Sequence, residues 1–247
     1  MTVRYLAFAI DSQGGDCSLD DLVFETVDNG VKASFPTSSV CRANRFKIPN
    51  VDGIYQAAQY HIHIGTEHEF EGNSYDLELH VVHALVSGSG SSIFPDGVGG
   101  TNQFAVYGFA IEAGGPANAE FQQLLDKWVT AQNTAVANCS TRRKLGETKE
   151  VVEESATTST DKNDSYLRRK LVTPFNIYDL VNDKDFFHYG GGLTTPPCTE
   201  AVWFNMARDP IVISDSQALT LKNIIIDYRD DRLILSMFQV LILLSSQ

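Results

Sequence analysis

The sequence predicts a single domain of the α+β class, built mainly from β-strands with a few peripheral helices. Its 247 residues are enough for one large domain with a full core. Several segments have the apolar patterns of strands, and one longer segment has the apolar spacing of a helix. We therefore expect residues 1–247 to fold as one unit around a sheet.

Turn residues separate the predicted strands. The strands cover residues 22–35 (with a turn at Asn29-Gly30), 55–64, 75–86 and 104–111. Gly72-Asn73 lies in the connection between the second and third of these segments. Residues 87–101 are rich in Gly and Ser, which predicts a loop.

The remaining segments are a helix and two atypical stretches. Residues 117–137 have helical spacing, with Phe121, Leu124, Leu125 and Trp128 on one face. Residues 138–170 are polar and charged and are predicted to be a disordered surface insertion. The apolar tail, 231–247, leaves three interpretations open: a packed core segment, a processed anchor signal or an incorrect gene model.

Three histidines form the most informative pattern. His61 and His63 alternate on one predicted strand, so both point to the same face, and His80 lies on the next strand. The gap between His63 and His80 is long enough for a turn and a return strand. We expect three imidazoles to converge without a fourth protein ligand, which is the coordination of a catalytic Zn²⁺ rather than a structural one.

Two polar residues share faces with these histidines. Gln59 lies on the face of His61, and Glu78 lies on the face of His80. Each could accept a hydrogen bond from the ring nitrogen that does not bind metal, as is usual for metal-bound histidine. A single histidine in such a place is more often a structural residue, but three with two polar neighbours favour zinc.

These residues resemble a known family. Residues 59–83 are similar to the metal-site hairpin of the α-class carbonic anhydrases, and residues 189–200 (YGGGLTTPPCTE) resemble the family's active-site loop. The similarity extends weakly from about residue 27 to about residue 214. It implies a large, twisted, mostly antiparallel sheet. It also implies a carbonic anhydrase (carbonate dehydratase), a zinc lyase that reversibly hydrates CO2 to bicarbonate and a proton.

The resemblance also implies catalytic roles. Zinc held by neutral imidazoles lowers the pKa of bound water to about 7, so that hydroxide can attack CO2 at neutral pH. Thr194 would accept a hydrogen bond from this hydroxide and donate its own to Glu67, and its backbone N–H would hold a substrate oxygen. Tyr189 would support this network.

An apolar substrate such as CO2 needs an apolar wall. The positions that match the family's pocket are Val82, Val106, Leu193, Thr195, Val202 and Phe204. Each of the apolar ones alone would be interpreted as ordinary core. Phe204 replaces the tryptophan that the family usually has in its pocket.

A second departure concerns proton transfer. Asn29-Gly30-Val31 is similar to a segment in which fast family members carry a proton-shuttle histidine after the Gly. Valine cannot transfer a proton. We therefore expect proton export through water and buffer, unless His68, His83 or His188 acts as the shuttle.

Composition limits the partners and leaves the compartment open. A net charge of −12 argues against binding to nucleic acid or anionic membranes. CO2 and bicarbonate are the expected partners of a monomer, with an oligomer as the alternative. The family's opening segment is not found, which suggests a late start and favours a secreted or organelle-lumen protein; a cytoplasmic location is the alternative.

The four cysteines, Cys17, Cys41, Cys139 and Cys198, are too far apart for a cysteine zinc site. Cys198 resembles the position that forms a disulfide in secreted family members. Its usual partner lies nearer the N-terminus than this chain reaches. Cys17 or Cys41 could replace that partner, and a free buried thiol is the other interpretation.

Two other functions remain as alternatives. A carbonic-anhydrase-like binding module without activity would share the fold, although such modules commonly lack a zinc ligand and this chain keeps all three. A cupin-type metalloenzyme would share the spacing of His61, His63 and Glu67. The cupin motif then fails, because Gly72 comes too soon and residues 193–200 have no place in it.

Overall fold

The computed structural model describes most of the region with family similarity. The described residues are 4–7, 15–27, 30–37, 41–70, 72–92, 102–145, 175–180, 185–194 and 198–226, with the backbone alone for 4–7, 92 and 138–145. They form one sheet of ten strands with helices packed against it. The α+β class with a large, mostly antiparallel sheet is therefore confirmed.

Eight strands follow one another across the sheet. In chain order the strands are β1 (Arg4–Ala7), β2 (Val23–Val27), β3 (Gly30–Ser34), β4 (Arg45–Phe46), β5 (Val51–Ile64), β6 (Leu77–Ser92), β7 (Phe104–Glu112), β8 (Asp185–Gly192), β9 (Glu200–Ala207) and β10 (Ile211–Val212). Their spatial order is β1-β8-β9-β7-β6-β5-β3-β2. β4 pairs with β5, and β10 pairs with β7. The β7–β9 and β7–β10 pairs are parallel, and the other pairs are antiparallel.

The two faces of the sheet have different coverings. On one face, which we call the core face, strand residues such as Ile62 and Tyr107 join the main apolar core. Helix α1 (Ala119–Leu145) and helix α2 (residues 215–226) supply the other half of that core. The opposite face, the site face, has a second and smaller apolar cluster around Val106 and Phe204. Because side chains alternate along a strand, neighbouring residues lie on opposite faces.

Helix α1 confirms the predicted helix but not its end. Asn118 caps its N-terminus by accepting a hydrogen bond from the Phe121 N–H at 3.0 Å. The predicted buried face is present, since Phe121, Leu124, Leu125 and Trp128 are all buried. The predicted end at residue 137 is wrong, because the helix continues to Leu145 through the first part of the predicted insertion. Neither Gly nor Pro occurs between Ala119 and Leu145, and the change to polar residues by itself does not end a helix.

The strand predictions are confirmed in position, but β5 and β6 extend beyond their predicted bounds. β2 and β3 form the predicted antiparallel hairpin. β6 runs to Ser92, so the predicted loop at 87–101 is wrong over residues 87–92. Pairing with β5, as far as Val51 opposite Ser92, offsets the weak strand propensity of Gly and Ser. Residues 93–101, 146–170 and 231–247 lie outside the described part, so the predictions made for them are unchanged.

The cysteine pairing differs from the disulfide that the resemblance implied. Cys17 bonds to Cys41, and Cys198 is a free thiol with an exposed side chain. The predicted Cys198 disulfide is therefore wrong. The alternative of a free thiol is confirmed, but the thiol is exposed rather than buried. Cys17 and Cys41 are brought together by their loops, in which the Asp16 N–H donates to the Arg42 carbonyl at 2.9 Å.

Candidate metal centre

Strand register brings the three predicted histidines together on the site face. His61 on β5 lies directly opposite His80 on β6, and His63 follows two residues later on β5. A register shift between Ala57 and Gln59 precedes this segment, as is common for strands beside functional sites. The ring centroids are 4.7 Å apart for His61 and His63, 5.1 Å for His61 and His80, and 5.3 Å for His63 and His80.

Hydrogen bonds fix the orientation of two of these rings. Gln59 Oε1 lies 3.1 Å from His61 Nδ1, and Glu78 Oε1 lies 2.5 Å from His80 Nε2. Each ring is then protonated at the bonded nitrogen. His61 Nε2 and His80 Nδ1 therefore keep a lone pair for a metal.

Glu78 is the buried carboxylate that organises this region. Its side chain is fully buried, and its Oε2 accepts hydrogen bonds from the backbone N–H groups of Glu67 and His68, both at 3.0 Å. Its Oε1 contacts the rings of His80 and His68 at 2.5 and 2.6 Å. Burial by itself raises the pKa of Glu78. The hydrogen bonds from His68 and His80 together lower it by a larger amount, so the net pKa is well below the usual value. Glu78 is therefore a carboxylate at neutral pH.

His68 is a site residue whose role the sequence did not reveal. Its Nδ1 donates to Glu78, and its Nε2 accepts a hydrogen bond from the Tyr189 hydroxyl. Burial, followed by the negative charges of Glu78 and Glu67, raises the pKa of Tyr189, so the hydroxyl stays protonated as a donor. His68 lies in a polar run of sequence, where no periodicity distinguishes it from a loop residue.

The three histidines fit Zn²⁺. Burial, with contributions from His80 and His63, lowers the pKa of His61 from 6.5 to about 2, which keeps its ring neutral as metal binding requires. One nitrogen from each of the three rings lies within 4.8 Å of the other two. Tetrahedral Zn²⁺ with bonds of about 2.0 Å places its ligand atoms about 3.3 Å apart, so a small inward movement closes the site.

A second group of potential metal ligands shares residues with the first. It consists of His68, Glu78 and His80. Within it, both rings bond to the Glu78 carboxylate. We therefore assign this group to ring orientation rather than to a second metal.

Glu67 and Thr194 are placed differently from the expected network. The Glu67 carboxylate lies 3.8 Å from His63 Nε2 and 3.8 Å from His80 Nδ1. Among the described residues, no hydrogen bond joins Thr194 to Glu67, so the contact implied by the resemblance is not formed. The physical reason is that Thr194 follows the end of β8 on a loop, where its side chain is exposed.

A cavity of about 390 Å³ opens beside the histidines. The predicted pocket residues that line it are Val82, Val106, Leu193 and Phe204. Val202 belongs to the same apolar cluster but is fully buried and does not line the cavity, which corrects its predicted position. Thr195 lies outside the described residues.

The predicted position of Val31 is wrong. Val31 pairs with Ile62, and both side chains are fully buried in the main core. The cavity is lined instead by its two neighbours, Gly30 and Lys32. The error arose because a short Asn-Gly match does not determine which face the following residue occupies.

The other histidines considered for proton transfer do not line this cavity. His83 is fully buried, with Nδ1 3.2 Å from the Ala105 carbonyl and Nε2 bonded to the Tyr178 hydroxyl. His188 is also buried and stacks on Trp203, with ring centroids 5.1 Å apart. His68 is half-buried, and both its ring nitrogens are hydrogen-bonded.

Comparison with known proteins identifies the class and then the family. The fold is that of the α-carbonic anhydrases, and three histidines on its site face could hold a metal ion. The family model described as eukaryotic-type carbonic anhydrase matches residues 23–150 and 141–238, which is most of the chain. The chain therefore belongs to the eukaryotic-type carbonic anhydrase family.

Individual relatives are distant. Carbonic anhydrase 4 of Mus musculus is 28% identical over 180 residues, covering 70% of this chain and 48% of the relative. Carbonic anhydrase 12 of Homo sapiens is 25% identical over 226 residues, covering 84% of this chain and 53% of the relative. The chain thus spans about half the length of these relatives.

Solved structures support the fold. The α-carbonic anhydrase of Thermovibrio ammonificans, in complex with the inhibitor sulfanilamide, has a TM-score of 0.52 and 18% identity, covering 89% of this chain and 74% of that chain. The fungal α-carbonic anhydrase of Aspergillus oryzae has a TM-score of 0.52 and 19% identity, covering 88% and 74%. In the described residues, no helix has the length and apolar character needed to cross a membrane.

Proposed function

We propose that this protein is a zinc-dependent carbonic anhydrase that catalyses the reversible hydration of CO2 to bicarbonate and a proton. The observation that carries the proposal is the convergence of His61, His63 and His80 beside an apolar cavity. Zn²⁺ bound there would lower the pKa of a water molecule to about 7 and so supply hydroxide at neutral pH. Family membership supports CO2 hydration as the reaction class.

The chain's own residues have separable tasks in this proposal. Gln59 and Glu78 hold the His61 and His80 rings in the tautomers that present a lone pair to the cavity. Val82, Val106, Leu193 and Phe204 form an apolar wall suited to CO2. Thr194 and Glu67 orient the attacking oxygen, which requires Thr194 to approach Glu67 from the loop where it lies.

Tyr189 supports the same site from behind. Its hydroxyl bonds to His68, which in turn bonds to Glu78. Its ring stacks on Phe204 with centroids 5.1 Å apart, so it also positions one residue of the apolar wall. We assign Tyr189 a positioning role.

The alternative of an inert binding module is supported by the low identities and by the Thr194–Glu67 contact that is not formed. Retention of three buried or half-buried histidines, two of them oriented by hydrogen bonds to Gln59 and Glu78, favours the enzyme, because a binding module has no need of this arrangement. The cupin alternative has no support from the fold. A cupin is a double-sheet jelly roll, whereas the described strands form one sheet with β1 and β2 at its ends.

One experiment on a single preparation tests the proposal. Zinc content is measured by elemental analysis, and CO2 hydration is followed by stopped-flow with a pH indicator. About one zinc per chain with hydration that a chelator abolishes and zinc restores supports the enzyme. A folded, zinc-loaded protein without hydration above the buffer rate would establish the inert module instead.

We also propose that the protein works in an oxidising compartment, outside the cell or in an organelle lumen. The support is the Cys17–Cys41 disulfide, since such bonds are rare in reducing cytosol. Thiol labelling of protein isolated from its native cell tests this. Two protected cysteines that become labelled only after reduction are expected, and their free labelling before reduction would argue for the cytoplasm.

A further inference from the structure

Lys32 introduces a positive charge into the wall of the cavity. Among the described residues that line the cavity beside the three histidines, Lys32 alone carries a permanent charge. A row of paired residues runs across the strands from Glu25 to Lys32, then to His61 and His80. Lys32 is therefore the direct strand neighbour of a proposed zinc ligand, on the same face.

The backbone of Lys32 is held in place from the core face. The Trp128 indole N–H on α1 donates to the Lys32 carbonyl at 3.1 Å. The flanking residues Val31 and Ala33 are fully buried in the main core. β3 therefore cannot rotate, and the Lys32 side chain is confined to the cavity side.

The charge of Lys32 is only partly compensated. Its Nζ lies 2.7 Å from Glu25 Oε1, and the Glu25 side chain is 46% exposed against 33% for Lys32. Water therefore screens the carboxylate more than the ammonium. One carboxylate contact also leaves ammonium donors for another acceptor, because Lys has three N–H groups. Two other carboxylates lie near the three histidines: Glu67, which faces His63 and His80, and the buried Glu78, whose charge is taken up by hydrogen bonds from His80, His68 and two backbone N–H groups.

We propose that Lys32 is the anion-attracting residue of the cavity, which raises the affinity of the metal site for small monovalent anions such as bicarbonate, with Glu25 moderating its charge. This deepens the proposed function and rests on it, because bicarbonate is the anion of that reaction. A unit charge about two strand spacings, or roughly 9 Å, from a bound anion changes its affinity about two- to fivefold when solvent keeps the effective dielectric constant at about 40–80.

The test measures binding directly, on protein loaded with Co²⁺ as a spectroscopic substitute for zinc. Bicarbonate and thiocyanate are titrated as anionic probes, and imidazole as a neutral metal ligand, with the visible spectrum as readout. Lys32→Gln is expected to weaken both anions about two- to fivefold and to leave imidazole unchanged. Glu25→Gln is expected to strengthen both anions, and Lys32→Arg to keep the affinity of the unmodified protein.

The chain provides a matched control on another surface. Lys127 on α1 pairs with Asp20, as Lys32 pairs with Glu25, but it does not line the cavity. Lys127→Gln is expected to leave all three affinities unchanged. Equal anion effects of Lys32→Gln and Lys127→Gln would overturn the inference, as would an equal loss of imidazole affinity.

Failure of the inference can be distinguished from failure of the proposed function. A cobalt-loaded protein with the expected anion pattern but a zinc form without CO2 hydration would overturn the proposed function alone. Hydration in the zinc form with anion affinities insensitive to Lys32 would overturn this inference alone. A protein that takes up neither metal would overturn both.

Discussion

His80 and His83 lie three residues apart on the same strand, and both are buried, yet their surroundings differ in kind. His80 lies on the site face, with one ring nitrogen on Glu78 and the other toward His61 and His63. His83 lies on the core face, where one nitrogen faces the Ala105 carbonyl and the other bonds to the Tyr178 hydroxyl. The protein thus uses one residue type for a proposed metal site and for a closed hydrogen-bond pair.

The difference shows that burial alone does not identify a ligand. Both rings are almost inaccessible to solvent, at 2% for His80 and 0% for His83. A ligand is distinguished by a ring nitrogen directed at other ligand atoms, and strand parity decides this. Because the spacing is odd, His83 lies on the face of the sheet opposite to that of His80. Substitution of each histidine should therefore affect a different property of the protein.

The largest expected effect separates these histidines. His80→Ala removes a ligand and should abolish zinc binding and CO2 hydration. His83→Phe should keep zinc while lowering stability by about 1–3 kcal/mol, because it leaves the Tyr178 hydroxyl and the Ala105 carbonyl without their buried partner. Elemental analysis and thermal unfolding on both variants check this. Stoichiometric zinc in folded His80→Ala protein would refute the site assignment.

A smaller effect is expected from substituting Thr194, which lies on the loop after β8, or Glu67. Thr194→Ala should reduce CO2 hydration by about 10- to 100-fold with zinc retained, because it removes a hydrogen bond that orients the attacking oxygen. Glu67→Gln should act similarly. Stopped-flow rates with zinc content measured in parallel give the result, and unchanged rates in both variants would remove these residues from the mechanism.

Substitution on β3 tests the two faces at neighbouring positions. Val31→His places a polar ring in a closed core and should destabilise the fold by about 2–5 kcal/mol without raising turnover in dilute buffer. Lys32→His, on the cavity side, should stay within about 1 kcal/mol of the original stability. Urea unfolding measures both. A stable Val31→His protein with faster turnover would show that Val31 faces the cavity after all.

The pH dependence of stability gives the most gradual effect. Burial lowers the pKa of His83 from 6.5 to about 3, despite hydrogen bonds to backbone groups that raise it. Between these values the unfolded chain binds a proton that the folded chain does not. The contribution is therefore fully present above pH 6.5 and is lost as pH falls toward 3. Urea unfolding of zinc-loaded protein across this range should show a steeper decline than in His83→Phe, and parallel curves would contradict the assignment.

The sequence alone determined which residues could bind a metal and roughly where the strands lie. His61-x-His63 and His80 required only strand alternation and a return strand, because these are local properties of the chain. Gln59 and Glu78 followed from the same parity. The apolar spacing of α1 likewise predicted its buried face but not its last turns, since helix ends depend on weak signals.

Only the tertiary structure decided which residues meet across strands and loops. The bond between His68 and Tyr189 joins residues far apart in sequence, and no local pattern encodes it. The same holds for the Cys17–Cys41 pairing and for the place of Lys32 beside His61. Register decided the faces of Val31 and Lys32, because a shift of one residue exchanges core and cavity along a whole strand. The local sequence determines that side chains alternate between the two faces of a strand. Long-range strand pairing determines which of them face the core and which face the cavity.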